Sequence, residues 1–286
     1  MTNEDFIRIA TQELQQHGSL DRAEAHGRAR LLLDAITGTR FSHLMAPDKQ
    51  LEPWQVQRSR QWLADALRGR PIPYILNRAA FYGLDFMVDE RVLIPRPETE
   101  LLVETALDGL QNCREPRVAD LGTGSGIIAV SLAKSRPDAQ VLALDLSPGA
   151  LEIARQNAEL HGVSIQWLQG DGPWLAPLED FARFDAIISN PPYIPAREIE
   201  TLDIGVRDFE PRLALDGGAD GLSPYRELAV GSAELLRESG FVALELGAGQ
   251  FSDVRALFEA RGWQVEAARR DLAGIERVLV ARLSDR

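Results

Sequence analysis

Val118-Ala-Asp120-Leu-Gly122-Thr123-Gly124-Ser125-Gly126 is the stretch that decides the fold. A short apolar run ends beside an acidic residue, glycines follow at alternate positions, and an apolar segment over 127–135 opens directly behind them. That order reads as strand, tight loop, helix. Glycines at 122, 124 and 126 let the backbone turn sharply and let a ligand approach it at the carboxyl edge of a sheet, where open α/β folds bind ligands. The spacing differs from the Gly-x-Gly-x-x-Gly of dinucleotide binders, and no Lys-Ser or Lys-Thr follows as in a phosphate loop. Pyrophosphate and triphosphate ligands are therefore disfavoured.

Outward from this loop the alternation continues. Strands are expected over 141–144, 164–168, 185–189, 241–246, 264–268 and 277–281, and helices over 148–160, 225–237 and 251–261. The pattern predicts an α/β fold with a seven-stranded, mostly parallel, doubly wound sheet whose last two strands form a hairpin at one edge. The first 70 residues differ: Phe6, Ile9, Ala10, Leu14 and then Ala29, Leu32, Leu33, Ile36 recur at helical spacing. From Pro71 to Pro97, Gly and Pro punctuate the strand-formers Phe81, Tyr82, Phe86, Val88, Val92 and Ile94. The expected organisation is a helical, substrate-docking domain over 1–72, a β-hairpin linker over 73–95 and the α/β domain over 96–286. For the helical lobe, docking of a partner and a purely structural cap are both open.

The ends of the expected strands carry the chemistry. The second ends at Asp145, where a carboxylate can accept hydrogen bonds from both hydroxyls of a ribose and repel a 2′-phosphate. Capping of the helix that starts at Pro148 is the alternative. After the third strand, Asp171 and Trp174 in Gly170-Asp171-Gly172-Pro173-Trp174 offer a carboxylate and an aromatic wall for an adenine, with plain core as the alternative for Trp174. The fourth strand, 185–189, delivers Asn190-Pro191-Pro192-Tyr193-Ile194. Two prolines fix φ and restrict the residue before each, so a side-chain amide is held at a rigid corner. The Asn190 side-chain oxygen and the Pro191 carbonyl are two acceptors for an NH2 group, and Tyr193 offers a flat apolar wall.

Composition narrows the classes. Across 286 residues the net charge is -12; residues 1–70 carry 10 Lys and Arg against 9 Asp and Glu, and the remaining 216 carry 21 against 34. Such acidity argues against a general polyanion binder. One cysteine, Cys113, permits no internal disulfide, and four scattered His show no metal-ligand spacing, so no metal is expected. No apolar run reaches membrane length, and a cytoplasmic protein is expected.

Taken together, the glycine loop, Asp145 and the Asn190 corner resemble the S-adenosylmethionine-dependent methyltransferases of the seven-stranded class. More closely, the chain resembles the release factor glutamine methyltransferases of the HemK type. The resemblance runs through the helical lobe, Leu93-Ile94-Pro95-Arg96-Pro97-Glu98-Thr99-Glu100, the 120–126 loop, Asn190 to Ile194, and Phe209-Glu210-Pro211-Arg212-Leu213-Ala214-Leu215 before Gly217-Gly218. The Arg-Pro-Glu-Thr segment separates it from ribosomal-protein glutamine methyltransferases, the nearest alternative, and acidity from nucleic-acid amine methyltransferases. The family often has Gly where this chain has Asn77, and an adjacent Asp-Trp or Asp-Phe pair where it has Asp171 to Trp174.

What the resemblance implies is methyl transfer from S-adenosylmethionine, leaving S-adenosylhomocysteine, to the glutamine amide of the Gly-Gly-Gln loop in class 1 peptide chain release factors. Gly122, Thr123, Gly124, Ser125, Gly126, Asp145, Asp171, Trp174 and Asn190 would hold the cofactor. Asn190, Pro191 and Tyr193 would be catalytic, with Pro192, Arg96 and Glu98 also at the substrate. A monomer without stable nucleic-acid or membrane binding completes the expectation.

Overall fold

The structure, a computed structural model, describes the chain except for residues 19, 172–174, 176, 177, 179, 180, 182 and 284–286. It divides into two units, Met1–Arg78 with Asp203–Phe209, and Ala79–Leu202 with Glu210–Arg286.

The first unit is helical. Helices α1 (Asn3–Gly18), α2 (Arg22–Thr37), α3 (Ser42–Met45), α4 (Pro53–Leu67) and α5 (Ile72–Leu76) surround a core of Phe6, Leu14, Leu32, Leu33, Leu63 and Ile72. Local chemistry sets the boundaries. Asp21 accepts from the Glu24 N–H to start α2, Gly38 ends it with φ of 65°, and Pro53 inside a Glu52/Gln55 capping box starts α4. The α5 helix lies in the stretch read as linker. Pro71 and Pro73 stand at its N-terminal positions, where no N–H is needed, so they open a helix instead of breaking one.

In the second unit, β1 (Ala79–Phe81) and β2 (Leu84–Phe86) form an antiparallel hairpin. Then follow α6 (Thr99–Gly109), β3 (Arg117–Leu121), α7 (Ile127–Ser135), β4 (Gln140–Asp145), α8 (Pro148–His161), β5 (Gln166–Gln169) and β6 (Phe184–Ser189). A short helix α9 (Ile204–Arg207) belongs to the first unit, and Ile204 packs there beside Gly69. The chain closes with α10 (Ser223–Leu235), β7 (Leu236–Glu245), α11 (Phe251–Glu259), β8 (Trp263–Val265), β9 (Arg269–Arg270) and β10 (Glu276–Leu283).

Seven strands run in the order β5-β4-β3-β6-β7-β10-β8, with β9 paired to β10 beside this row. From β5 to β7 the pairs are parallel, and β10 is antiparallel to β7 and β8. The sheet is thus the expected one with an eighth, two-residue strand added. The final strand does not sit outermost: β10 lies between β7 and β8, which gives its run Val278 to Ala281 burial on both faces. Alternation assigns the two faces. Ile187, Val242 and Leu244 meet α10 and α11, while Ala186, Ile188 and Ala243 meet α6, α7 and α8.

Strand order reverses at β3, with β4 on one side and β6 on the other. Leu121 is level with Leu144 and with Ser189, so the residues that leave these strands, Gly122 and Asn190, emerge side by side at the switch point. The β3–α7 turn is knitted from below by Asp120, fully buried, whose Oδ2 accepts from Thr123 Oγ1 at 2.6 Å and the Ala129 N–H at 3.1 Å. Burial pushes its carboxyl up to about 7 against those two bonds. Above it, Asn157 of α8 accepts from the Met87 N–H at 2.7 Å and donates to Met87 O at 3.0 Å and Ser125 O at 2.8 Å. One buried amide therefore ties the segment after the hairpin, the glycine loop and a helix together.

Two measurements check this account. Asn157→Ala leaves one buried and two half-buried backbone groups without their partner and is expected to lower unfolding free energy by about 2–3 kcal/mol in urea titration. For Asp120, the ordinary carboxyl value is 3.8 and the folded value about 7, so the folded state holds the extra proton between them. Stability from this group is full below about pH 4 and falls as pH rises to about 7. Urea midpoints of wild type relative to Asp120→Asn are expected to decline across that window; parallel profiles would contradict the assignment.

Candidate active site

The carboxyl ends of β3 and β4 form one wall. Gly122, Gly124 and Gly126 take φ of 70°, 56° and 82°, backbone that side chains rarely adopt. The loop is turned toward β4 by the N–H groups of Gly122 and Thr123, both donating to Leu144 O at 2.9 Å. Gly124 N–H then donates to Asp145 Oδ2 at 2.8 Å, and Ser147 N–H to Oδ1 at 2.9 Å. Ser147, not Asp145, caps α8, its side chain accepting from the Ala150 N–H at 3.2 Å. Asp145 is 9% exposed and burial raises its carboxyl above the ordinary value.

A cavity of about 350 Å³ opens over this wall, bounded by Gly122, Gly124, Asp145, Asn190 and Pro192 together with the apolar Pro211, Leu213 and Ala214. A side chain on Gly124 would meet nothing within 4 Å, so this glycine faces open space. Arg91, at the rim, is held by Asp89 and Glu152, each at 2.7 Å. The cavity thus presents the carboxylates of Asp145, Asp216 and Glu227 and apolar walls, with Arg91 already paired, which fits an adenosine carrying no phosphates. A smaller cleft sharing Gly122, Gly124 and Asn190 is lined by Thr123, Ser125, Arg96 and Thr99. Gly126 lies against α8, where a Cβ would stand 3.1 Å from that of Ala154. Asp171 is exposed and borders neither space, and Trp174 lies outside the described residues.

The second wall is the proline corner. Ser189 Oγ, buried, donates to Leu121 O at 2.7 Å and locks β6 to β3 at their ends. Asn190 Nδ2 donates to Thr99 Oγ1 at 3.2 Å, which turns the amide so that Oδ1 faces away from Thr99. Beyond the prolines the loop is strapped down: Ile194 N–H donates to Leu215 O at 3.0 Å, Gly217 N–H to Ile194 O at 2.9 Å, and Gln250 Nε2 to Tyr193 O at 3.0 Å. At Gly217 a Cβ would stand 2.8 Å from Tyr193 Cα and 2.9 Å from Pro192 O, so only glycine allows this approach. Pro192 and Asn190 border the large cavity, whereas Pro191, buried, and Tyr193 do not. Tyr193 Oη donates to Glu245 Oε1 at 3.5 Å, and burial pushes the phenol well above its ordinary range.

The Arg-Pro-Glu-Thr segment is organised from inside. Arg96 donates to Glu210 Oε1 at 2.5 Å and the Ile94 N–H to Oε2 at 3.4 Å, and the Glu210 side chain is 1% exposed. Burial raises the Glu210 carboxyl while Arg96 lowers it. Glu98 lies 3.9 Å from Arg277. Arg96 and Glu98 thus make ion pairs within the chain. Asn157, Glu245 and Gln250 support the site without having been singled out from sequence, while Thr99, Glu210 and Gly217 stand in the resembling stretches with no role assigned to them there. Glu245 alone left a clear signal, a carboxylate inside the apolar run 241–246.

Comparison with known proteins agrees with this architecture. Residues 5–76 match the PrmC N-terminal domain and residues 97–207 the Methyltransferase small domain. The chain is 44% identical over 239 residues to the release factor glutamine methyltransferase of Geobacter sulfurreducens, covering 82% of this chain and 81% of that protein. To that of Bordetella pertussis it is 45% identical over 251 residues, covering 87% and 92%. Its fold is similar to a methyltransferase from Pyrococcus furiosus, with TM-score 0.53, 17% identity, and 79% of this chain and 97% of that one covered. The catalytic domain of hMettl16, solved with MAT2A 3′UTR hairpin 6, gives TM-score 0.57, 16% identity, and coverage of 82% and 83%. With relatives of this identity spanning most of both lengths, the chain belongs to the release factor glutamine methyltransferase family.

Proposed function

We propose that this chain methylates the side-chain amide nitrogen of the glutamine in the Gly-Gly-Gln loop of class 1 peptide chain release factors, using S-adenosylmethionine. The observation that carries the reading is the meeting of two walls at one cavity: the Gly124–Asp145 wall on one side and Asn190 with Oδ1 turned away from Thr99 on the other. When bound, S-adenosylmethionine supplies an electrophilic methyl group and leaves as S-adenosylhomocysteine.

The remaining work falls to the chain. The open face at Gly124 admits the methionine part of the cofactor, and Asp145, with two lone-pair directions left after its backbone bonds, receives the ribose hydroxyls. Asn190 Oδ1 and the Pro191 carbonyl accept the two amide hydrogens of the glutamine and aim its nitrogen for in-line attack. Holding both partners in line contributes up to roughly 7–11 kcal/mol in well-oriented intramolecular systems. No strong base is needed beforehand, because the amide proton becomes acidic only as the nitrogen gains positive charge. Tyr193 and Pro192 would flank the amide plane, and Arg96 and Glu98 fix the segment before α6 beside it. The helical unit would dock the release factor, a role supported by the exposed Leu44, Met45 and Trp54. The net charge of -12 supports a protein substrate over nucleic acid. Among the described residues no helix is long and apolar enough to cross a membrane. The reading includes a cytoplasmic monomer.

The test offers labelled S-adenosylmethionine with purified release factor, ribosomal protein or nucleic acid in parallel, and locates the label by peptide mass. Label on the Gly-Gly-Gln glutamine is expected; label only on another substrate would overturn the reading. Asn190→Ala is expected to lower transfer at least about a hundredfold while calorimetry shows cofactor binding retained.

A further inference from the structure

Gln250 occupies the N-cap position of α11, but its side chain makes no capping bond to that helix. The amide is spent on three other segments. Oε1 accepts from the Gly247 N–H at 2.9 Å, just after β7, while Nε2 donates to Tyr193 O at 3.0 Å, at the end of the proline corner, and to Gly221 O at 3.4 Å, before α10. These partners fix the amide in one flip, because the reverse would set its oxygen against two carbonyls and its nitrogen against an N–H. The neighbouring glycines make room for it. At Gly247 a Cβ would stand 2.7 Å from Gln250 Oε1 and 3.0 Å from Tyr193 Cδ2, and at Gly221, with φ of 77°, it would strike Tyr193 O.

We infer that Gln250 is the positioning residue that sets the direction of the Pro191 carbonyl; this rests on the role proposed above for that carbonyl in receiving the glutamine amide. The proline rings fix φ at 191 and 192, so the corner keeps only its ψ angles, and its two ends decide them. Upstream, the ladder of β6 with β3 and the bond from Ser189 Oγ to Leu121 O at 2.7 Å hold the strand up to Asn190. Downstream, the peptide plane between Tyr193 and Ile194 is held on both edges: the Ile194 N–H donates to Leu215 O at 3.0 Å, and the Tyr193 carbonyl accepts from Gln250 Nε2 at 3.0 Å. With both ends held, the few residues between them keep one arrangement. Without the Nε2 donor that plane hinges on its one remaining bond, and the Pro191 carbonyl turns off line. Neither Gln250 nor Tyr193 borders the two spaces assigned to the cofactor, so the loss falls on transfer and spares cofactor binding.

The experiment compares Gln250→Met and Gln250→Glu with wild type in the full-length protein. Methionine keeps the length of the side chain and removes its donors, whereas glutamate keeps the acceptor for Gly247 and regains one donor, its O–H, only when protonated. Tyrosine carbonyl carbons are 13C-labelled, and the Tyr193 signal is the one of four that Tyr193→Phe removes. Gln250→Met is expected to move that signal upfield and to lower kcat about tenfold, with cofactor affinity by calorimetry within about twofold of wild type. Gln250→Glu is expected to match Gln250→Met near pH 8 and to recover toward wild type at the same pH, in signal and in kcat, as pH falls toward about 5, because two facing carbonyls raise its carboxyl above the ordinary value of about 4.3. A Tyr193 signal that Gln250→Met leaves in place, a kcat equal to wild type, or a Gln250→Glu deficit that stays constant with pH would overturn the inference. If wild type places no methyl on the glutamine, the proposed function fails, and the Tyr193 signal still decides whether Gln250 holds the corner.

Discussion

The site depends on the Gly124 N–H donating to Asp145 Oδ2. This bond joins the loop after β3 to the end of β4, and with it the loop presents its open side to the cavity. It needs the positive φ of Gly124 and a carboxylate held still by Ser147. Beneath it, Asp120 accepts from Thr123 and Ala129, so both flanks of the turn are fixed from below and from the neighbouring strand. The parallel register of β3 with β4 and β6 places this anchored loop beside Asn190 at the one point where strand order reverses.

Buried acids recur in and behind the two walls, and each answers to a specific donor. Asp145 accepts backbone N–H groups, Glu210 takes Arg96 and the Ile94 N–H, and Glu245 accepts from Tyr193 Oη. Burial raises the carboxyl of all three, and hydrogen bonds or cations oppose it. Buried ion pairs such as Arg96–Glu210 contribute little net stability, but removing either partner would strand a charge. Their effect here is geometric: they keep the Arg-Pro-Glu-Thr segment in one arrangement. Under the proposed function Asp145, the one of the three that lines the cavity, sets a negative charge beside a cationic cofactor.

Much of this was legible in the chain. Periodicity located the long helices of the first unit and the seven strands of the main row, because each is buried on a regular face; the short α3, α5 and α9 left no such pattern. Glycines at 122, 124 and 126 and the proline pair after Asn190 marked the two walls, since both force unusual backbone. What was not legible depends on tertiary contact. Asn157 reads as an ordinary helical polar residue, and only its meeting with Met87 and Ser125 gives it work. Gly217 follows one of the resembling stretches, but the reason only glycine serves there, the approach of Tyr193 and Pro192, is tertiary. The insertion of β10 between β7 and β8 was hidden because an edge hairpin and an inserted strand show the same apolar pattern.

The central claim is that Asn190 aims a glutamine amide across the cavity bounded by Gly124 and Asp145. A crystal structure of the chain with S-adenosylhomocysteine and a Gly-Gly-Gln peptide tests it most directly. The ribose hydroxyls are expected on Asp145 and the glutamine Nε2 is expected to donate to Asn190 Oδ1, about 3–3.5 Å from where the transferable methyl carbon would lie. A glutamine amide bound elsewhere, or one facing Asn190 Nδ2, would contradict it.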